Sequence, residues 1–223
     1  MDGGFSSQGL EPIGPALQAV VDAGDLSGYV ILVWRKGEVV QVQALGQRDI
    51  AAGKPMTRDT IFRIASMTKP VTSTAALMLM EEGRLRLDDP ITRWAPEFAD
   101  MQVLKAADGP LDQTVPAARD ITIEDLMTHR AGLAYGFTSG QRSHYSHATD
   151  VLGFTVARIE GGPLGEVLRR RIFEPLGMKD TGFHLPLEKQ DRGARLYRIG
   201  PETDALEDVS FPYHPEPPAF DAG

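Results

Sequence analysis

The chain has 223 residues, 42% hydrophobic and 24% charged, with 23 Lys and Arg against 31 Asp and Glu for a formal charge of -8. That length is ample for a core in one domain or two, the composition is that of a folded protein, and the acidic balance offers no basic stripe to displace counterions from nucleic acid. Cysteine is absent, which excludes disulfides, thiol nucleophiles and cysteine-based zinc sites together. Apolar runs stop at six residues (Tyr29 to Trp34 and Ala75 to Met80), far short of the roughly 20 that a bilayer span needs. The opening MDGGFSSQGLEPIG has neither the basic nor the apolar segment of a signal peptide. A soluble, cytoplasmic protein with no nucleic-acid or membrane partner is the expectation.

In chain order, Leu10, Ile13, Leu17, Val20 and Val21 fall on one stripe at helical spacing, and Gly24 stops it. YVILVWR and EVVQVQALG follow as two strand-like runs around Arg35-Lys36-Gly37-Glu38, a β-hairpin. The first run is apolar throughout and is expected to be buried on both faces; the second alternates Val40, Val42 and Ala44 with Gln41 and Gln43, as a strand with one wet face does. Ser66 to Glu82 predicts a helix with Gly83 at its C′ position, apolar on all sides from Ala75 to Met80 and so sandwiched in the interior. Pro70 confines the helix start to its own first turn, which places Ser66 at or just before the N-terminus. The stretch from 88 to 120 reads as irregular, Thr122 as an N-cap of a helix ended by Gly132, and Tyr135 to His147 as a loop. Two helices, about 148–160 and 163–173, are separated by Gly161-Gly162-Pro163, and ARLYRI and ALEDVSF read as short strands before a proline-rich, extended tail.

Chemistry concentrates at Ser66-Met67-Thr68-Lys69, an S-x-x-K. A spacing of three on a helix brings both side chains to one face. A serine at a helix N-terminus also sits beside unpaired N–H groups and the positive end of the dipole, which favour developing negative charge. In a desolvated site Lys69 would have a lowered pKa and serve as a proton acceptor. The same residues equally describe an N-cap serine followed by a surface lysine, and spacing alone leaves both readings open. His144 and His147 flank Tyr145 without any H-E-x-x-H pattern, so no metal is expected. His129 reads as structural and Arg169-Arg170-Arg171 as a solvated helix face. Neither G-x-S-x-G nor a phosphate loop occurs.

IFRIASMTKPVTSTAALMLMEEGRLRLDDPI resembles the nucleophile segment of the serine β-lactamase-like superfamily, in particular its carboxylesterase branch. HYSHATDVLGFTVARIEGGPLGEVLRRRIFEPLGMKDTGF resembles the second-motif region of the same family, and THRAGL, from Thr128 to Leu133, a recurring segment between them. The resemblance implies that Ser66 is the nucleophile and an oxyanion-hole N–H donor, that Lys69 is the family's lysine, and that Tyr145 opens the Y-x-N or Y-x-S motif. His147 stands at the third position of that motif in place of Asn or Ser, a departure that favours ester over lactam substrates. His147 and Tyr135 are expected to line the substrate pocket. In that constellation Lys69 and Tyr145 act as one coupled proton-transfer unit.

The implied fold is α/β (α+β) of the β-lactamase/transpeptidase type, an antiparallel sheet flanked by helices plus a mainly helical subdomain. The expected division is 1–87, 88–187 and an irregular 188–223, with the active site in the crevice between the first two. The family's third motif (K-T-G, H-x-G or W-x-G) has no match after Leu187, so the chain is expected to be the N-terminal part of a longer family member. It is then expected to be poorly active alone unless a second chain or a C-terminal fragment completes the sheet. The resemblance implies a serine carboxylesterase acting on a small, short-chain ester through an acyl-enzyme, with no cofactor and no metal. A β-lactamase, a D-alanyl-D-alanine peptidase, a sensor that is acylated but never deacylates, and an inert fragment are the other readings it permits.

Overall fold

The computed structural model describes residues 4–106, 109–110, 112–133 and 148–217. Two compact units are present, Met1–Arg63 with His184–Glu216 and Ile64–Phe183 with Pro217–Gly223. The boundary expected near residue 87 thus contrasts with a division at 63/64, because the helix that follows Ser66 packs on the later helices of the second unit.

In the first unit a short helix α1 (Ser7–Leu10) precedes α2 (Ile13–Asp22), so Leu10 stands outside the helix whose stripe it was expected to join. Gly24, at φ 81°, follows the α2 C-cap as a left-handed stop. Strands β1 (Gly28–Arg35) and β2 (Glu38–Asp49) form the expected antiparallel hairpin. Its two-residue turn, Lys36-Gly37, has positive φ at both positions (52° and 84°), the mirror-image turn whose twist matches that of the strands. A two-residue β3 (Lys54–Pro55) pairs with the far end of β2, giving the order β1-β2-β3.

Both burial expectations for this hairpin need correction. β1 ends the sheet; among the described residues no strand pairs with its other edge, and Leu32 and Trp34 are 51% and 62% exposed. An all-apolar run becomes doubly buried only when both of its faces are covered. β2 lies between two strands, has α2 against it, and shows no wet face: every residue from Val40 to Asp49 is half-buried. The Oε1 atoms of Gln41 and Gln43 are buried without a hydrogen-bond partner. The remainder of the unit returns late in the chain. Ile61 bridges in parallel to Gly193, its N–H donating to Arg192 O and its O accepting from Ala194 N–H; Arg195 N–H donates to Arg48 O at 2.8 Å, and β6 (Tyr197–Ile199) pairs antiparallel with β7 (Leu206–Asp208).

The second unit holds the main hydrophobic core. A 3₁₀ turn (Ala65–Met67) runs directly into α3 (Thr68–Glu81), followed by 3₁₀ turns at Ile91–Arg93 and Pro96–Phe98. A small hairpin, β4 (Gln102–Leu104) with β5 (Thr114–Pro116), lies in the stretch expected to be irregular. Helices α4 (Ile123–Met127), α5 (Ala148–Glu160) and α6 (Leu164–Leu168) complete it, α6 widening into a π-helical turn at Arg169–Phe173. Ala75, Ala76 and Leu79 of α3 interlock with Val151, Leu152 and Val156 of α5 and Leu164 and Leu168 of α6. α3 is nevertheless not sandwiched, since Leu77 is 40% exposed on its outer face. No helix among the described residues is long and apolar enough to cross a membrane.

Helix ends in this unit follow local chemistry. At the C-terminus of α3, Gly83 N–H donates to Met80 O and Arg84 N–H to Leu79 O, both at 2.9 Å, which is the paired closure a left-handed glycine permits. At the start of α4, Asp125 N–H donates to Thr122 Oγ1 at 3.3 Å while Thr122 N–H donates to Asp125 Oδ2 at 2.9 Å, a reciprocal cap. Hydrogen bonds from Arg119, opposed by burial and aided by Thr122, hold the Asp125 carboxyl well below the usual carboxylate range.

The other end of α4 departs from expectation. The helix stops at Thr128, and His129 rather than Gly132 takes the left-handed C′ position at φ 57°. His129 N–H donates to Leu126 O at 3.2 Å and Arg130 N–H to Asp125 O at 2.8 Å, the same paired closure built on a residue with a Cβ. A side chain in that conformation costs about 1 kcal/mol relative to glycine. His129→Gly is therefore expected to stabilise the fold by about 0.5–1 kcal/mol, read as a rise of about 2 °C in Tm by calorimetry. A fall in Tm would show that the imidazole itself contributes more than its backbone conformation costs.

Candidate active site

Ser66 occupies the middle of the 3₁₀ turn that opens the helical run into α3, with Lys69 one turn on. Pro70 falls at the third position of α3, where its missing N–H costs no intrahelical hydrogen bond. Lys69 Nζ donates to Ser66 Oγ at 2.8 Å. Ser66 is exposed and Lys69 half-buried, so the hydroxyl is open to a reacting molecule. The oxygen also lies at the N-terminal end of the fourteen-residue α3, where the helix dipole favours negative charge.

The residue before the serine carries backbone strain. Ala65 has φ 42°, in the left-handed region that residues bearing a Cβ avoid, and Ile64, at φ -86° and ψ -9°, leads into it. This bend stands directly before Ser66 at the entry to the helical run. Such strain persists only where the surrounding structure over-determines the conformation. Nothing in the composition around residue 65 signals it, since alanine is a default helix former and the motif reads as the start of a plain helix.

Of the residues expected to form the site, Ser66 and Lys69 are brought together as the spacing requires. Tyr145, His147 and Tyr135, with His144, lie outside the described residues. His129 is accounted for by the end of α4.

The arginine run is in part the solvated face expected and in part more than that. Arg169 pairs with Glu166 and Glu174, while Arg170 and Arg171 both reach Glu160. Arg171 also spans to Glu82 at 2.6 Å. Arg169 and Arg170 are exposed, as a solvated face requires, while Arg171 is 15% exposed and the whole run is tied into an ion-pair network. Glu166 and Glu174 are local partners, but Glu82 lies 89 positions from Arg171, where no local charge pattern could have shown it.

The chain is similar to known proteins along most of its length. The Beta-lactamase family matches residues 15–219. Protein Rv1367c of Mycobacterium tuberculosis is 46% identical over 238 residues, covering 92% of this chain and 59% of its own length. Esterase EstB of Burkholderia gladioli is 36% identical over 198 residues, covering 71% of this chain and 47% of its own. Among solved structures, EstCE1, described as a hydrolase with promiscuous acyltransferase activity, superposes with a TM-score of 0.74 at 26% identity, over 90% of this chain and 58% of that one. The chain therefore spans about half to three fifths of the length of these relatives. The fold is of the β-lactamase/transpeptidase type, and with nearly the whole sequence matched, the chain belongs to the Beta-lactamase family.

Proposed function

We propose that this protein is a serine hydrolase of carboxylic esters that works through an acyl-enzyme on Ser66. The observation that carries the reading is the 2.8 Å contact between Lys69 Nζ and Ser66 Oγ at the head of α3, a nucleophile and a base within hydrogen-bond reach. Esterase EstB among the relatives favours an ester over a lactam.

In the proposed cycle Ser66 Oγ attacks the ester carbonyl carbon and its proton passes to the coupled pair of Lys69 and Tyr145, the tyrosine being carried over from the family resemblance. A neutral Lys69 amine takes the proton along the contact through which its ammonium form donates. The Ser66 N–H and the dipole of α3 stabilise the oxyanion. The carbonyl then re-forms, the ester C–O bond breaks, and the pair returns the proton to the departing alkoxide. Water adds to the acyl-enzyme through the same steps, giving the acid and free Ser66. If an alcohol takes the place of water, the product is a new ester, a second outcome favoured by the acyltransferase activity described for EstCE1.

The open edge of β1, with Leu32 and Trp34 exposed beside it, supports a further proposal. In the working protein another strand, from a second chain or a further segment, pairs there, because unpaired strand edges with apolar side chains are liabilities. A fluorophosphonate probe, followed by digestion and mass spectrometry, tests the nucleophile. A single adduct on the peptide containing Ser66 is expected; an adduct on another serine, or none, overturns the reading. A fluorescent penicillin used in parallel separates the readings within the family, and its rapid turnover would replace ester hydrolysis by lactam hydrolysis.

A further inference from the structure

Arg63 stands three residues before Ser66 and has no part in the chemistry above. Its guanidinium is stacked between two rings, the ζ carbon lying 4.2 Å from the centroid of Phe211 and 3.7 Å from that of Tyr213. Nη2 donates to the Phe211 carbonyl oxygen at 2.6 Å. Nη1 is buried with no hydrogen-bond partner, a desolvation cost that the stack has to offset.

The segment that supplies the two rings is itself tied down. Tyr213 Oη donates to Ala194 O at 2.7 Å, His214 O accepts from Leu185 N–H at 2.8 Å, and Val209 N–H donates to Leu196 O at 2.9 Å. The chain leading up to Arg63 is held on the same framework: Ile61 N–H donates to Arg192 O and Ala194 N–H donates to Ile61 O, both at 2.9 Å. Ile61 and Arg63 are thus fixed by residues roughly 130–150 positions later. Two residues beyond Arg63 comes Ala65, left-handed at φ 42°, and Ser66 follows it directly. An alanine does not hold that conformation by its own preference; Ile64 O accepts from Met67 N–H at 2.9 Å within the turn itself, and the next residue back, Arg63, is the nearest whose side chain is clamped.

We propose that Arg63, clasped between Phe211 and Tyr213, is a positioning residue: the clasp fixes the path of residues 61–65 and so maintains the left-handed turn that presents Ser66. The inference rests on the reading of Ser66 as the nucleophile. It also gives a late segment of the chain, residues 209–214, a role in the reactivity of a serine that the segment does not contact in the sequence.

Two properties distinguish a clasp from ordinary packing. Phe211 is 57% exposed, so if it only covers surface, its loss leaves Tm nearly unchanged and affects nothing else. An arginine stack further depends on a flat cation, so lysine at 63 keeps the charge and loses the function. The test compares Arg63→Lys, Phe211→Leu and Phe211→Tyr with the unaltered chain in two measurements. Hydrogen exchange read by mass spectrometry follows peptides spanning 61–69, and fluorophosphonate labelling follows Ser66.

Arg63→Lys and Phe211→Leu are expected to raise exchange in 61–69 about tenfold, with the remaining peptides unchanged. Labelling at Ser66 is expected to slow about fivefold or more in the same two variants. Phe211→Tyr, which keeps a ring, is expected to match the unaltered chain in both. Wild-type exchange over 61–69 in the first two variants overturns the proposal, and so does raised exchange with labelling unchanged. If the unaltered chain takes no label at Ser66, the nucleophile reading falls, and the exchange comparison alone then decides whether the clasp holds the turn.

Discussion

Ser66→Ala is expected to abolish labelling by a fluorophosphonate, and Lys69→Met to slow it by about 10³-fold with Ser66 still in place. The two losses have different origins. Without Ser66 there is no oxygen to form the covalent bond. Without Lys69 the hydroxyl loses the amine that stands 2.8 Å from Oγ to take its proton. The pair acts as a unit, so the double variant is expected to be no worse than Ser66→Ala alone. Lys69→Arg discriminates further. An arginine keeps positive charge near Oγ but does not give up a proton at any working pH, so it should fail as completely as Lys69→Met if the amine is the base. Near wild-type labelling in Lys69→Arg would reduce Lys69 to an electrostatic role, and adduct formation in Ser66→Ala would remove the serine from the mechanism.

Glu160 is expected to carry the largest single side-chain effect on stability outside the hydrophobic core. Its side chain is 4% exposed and accepts hydrogen bonds from three arginines: Arg84, Arg170 at 2.6 Å and Arg171 at 2.8 and 2.9 Å. These arginines leave from the end of α3 and from the turn after α6, so the carboxylate at the end of α5 joins three stretches of chain. Glu160→Ala leaves the arginines converging on an empty site and is expected to cost about 3 kcal/mol, or roughly 6–12 °C in Tm. Glu160→Gln keeps the shape, loses the charge, and should cost about 2 kcal/mol.

The pH dependence has a definite sign. Hydrogen bonds from Arg171, opposed by burial and aided by Arg84, hold the Glu160 carboxyl below its ordinary value of 4.5. A depressed acid contributes stability that is present above that ordinary value and is lost as pH falls through the folded-state value. The urea midpoint of the unaltered chain should therefore drop as pH is taken from 6 to below 4.5, and that of Glu160→Gln should drop less. Parallel curves for the two proteins would show that Glu160 does not carry the acid sensitivity.

Much of the second unit could be read from the sequence because its signals are local. The Thr122 cap, the Gly83 stop and the Gly161-Gly162-Pro163 break each act within a few residues of where they stand, and the structure places helix ends at or beside each of them. The Ser66 and Lys69 pair was legible for the same reason, since three residues of helix fix their separation. What escaped depends on distant parts of the chain. Whether β1 is covered on both faces is decided by neighbours, and the apolar run Tyr29 to Trp34 carries no record of how many it has. The role of Arg171 is set by the distant Glu82 together with Glu160, and the left-handed bend at Ala65 by an arginine whose ring partners lie near the other end of the chain. His129 was missed as a helix stop because Gly132, three residues on, advertises that role more strongly.

The wide turn at Arg169–Phe173, where Glu174 N–H reaches back five residues to Arg169 O at 2.8 Å, accommodates one residue more than an ordinary helical pitch would. That surplus lets neighbouring arginines diverge, Arg169 toward Glu166 and Glu174, Arg170 and Arg171 toward Glu160. Removing a single residue from this stretch would leave a regular helix with its hydrogen bonds intact but rotated by about 100° from that point onward. Ile172 and Phe173 would swing off the core they now seal. Length at this position is therefore under tighter constraint than the identity of its exposed side chains.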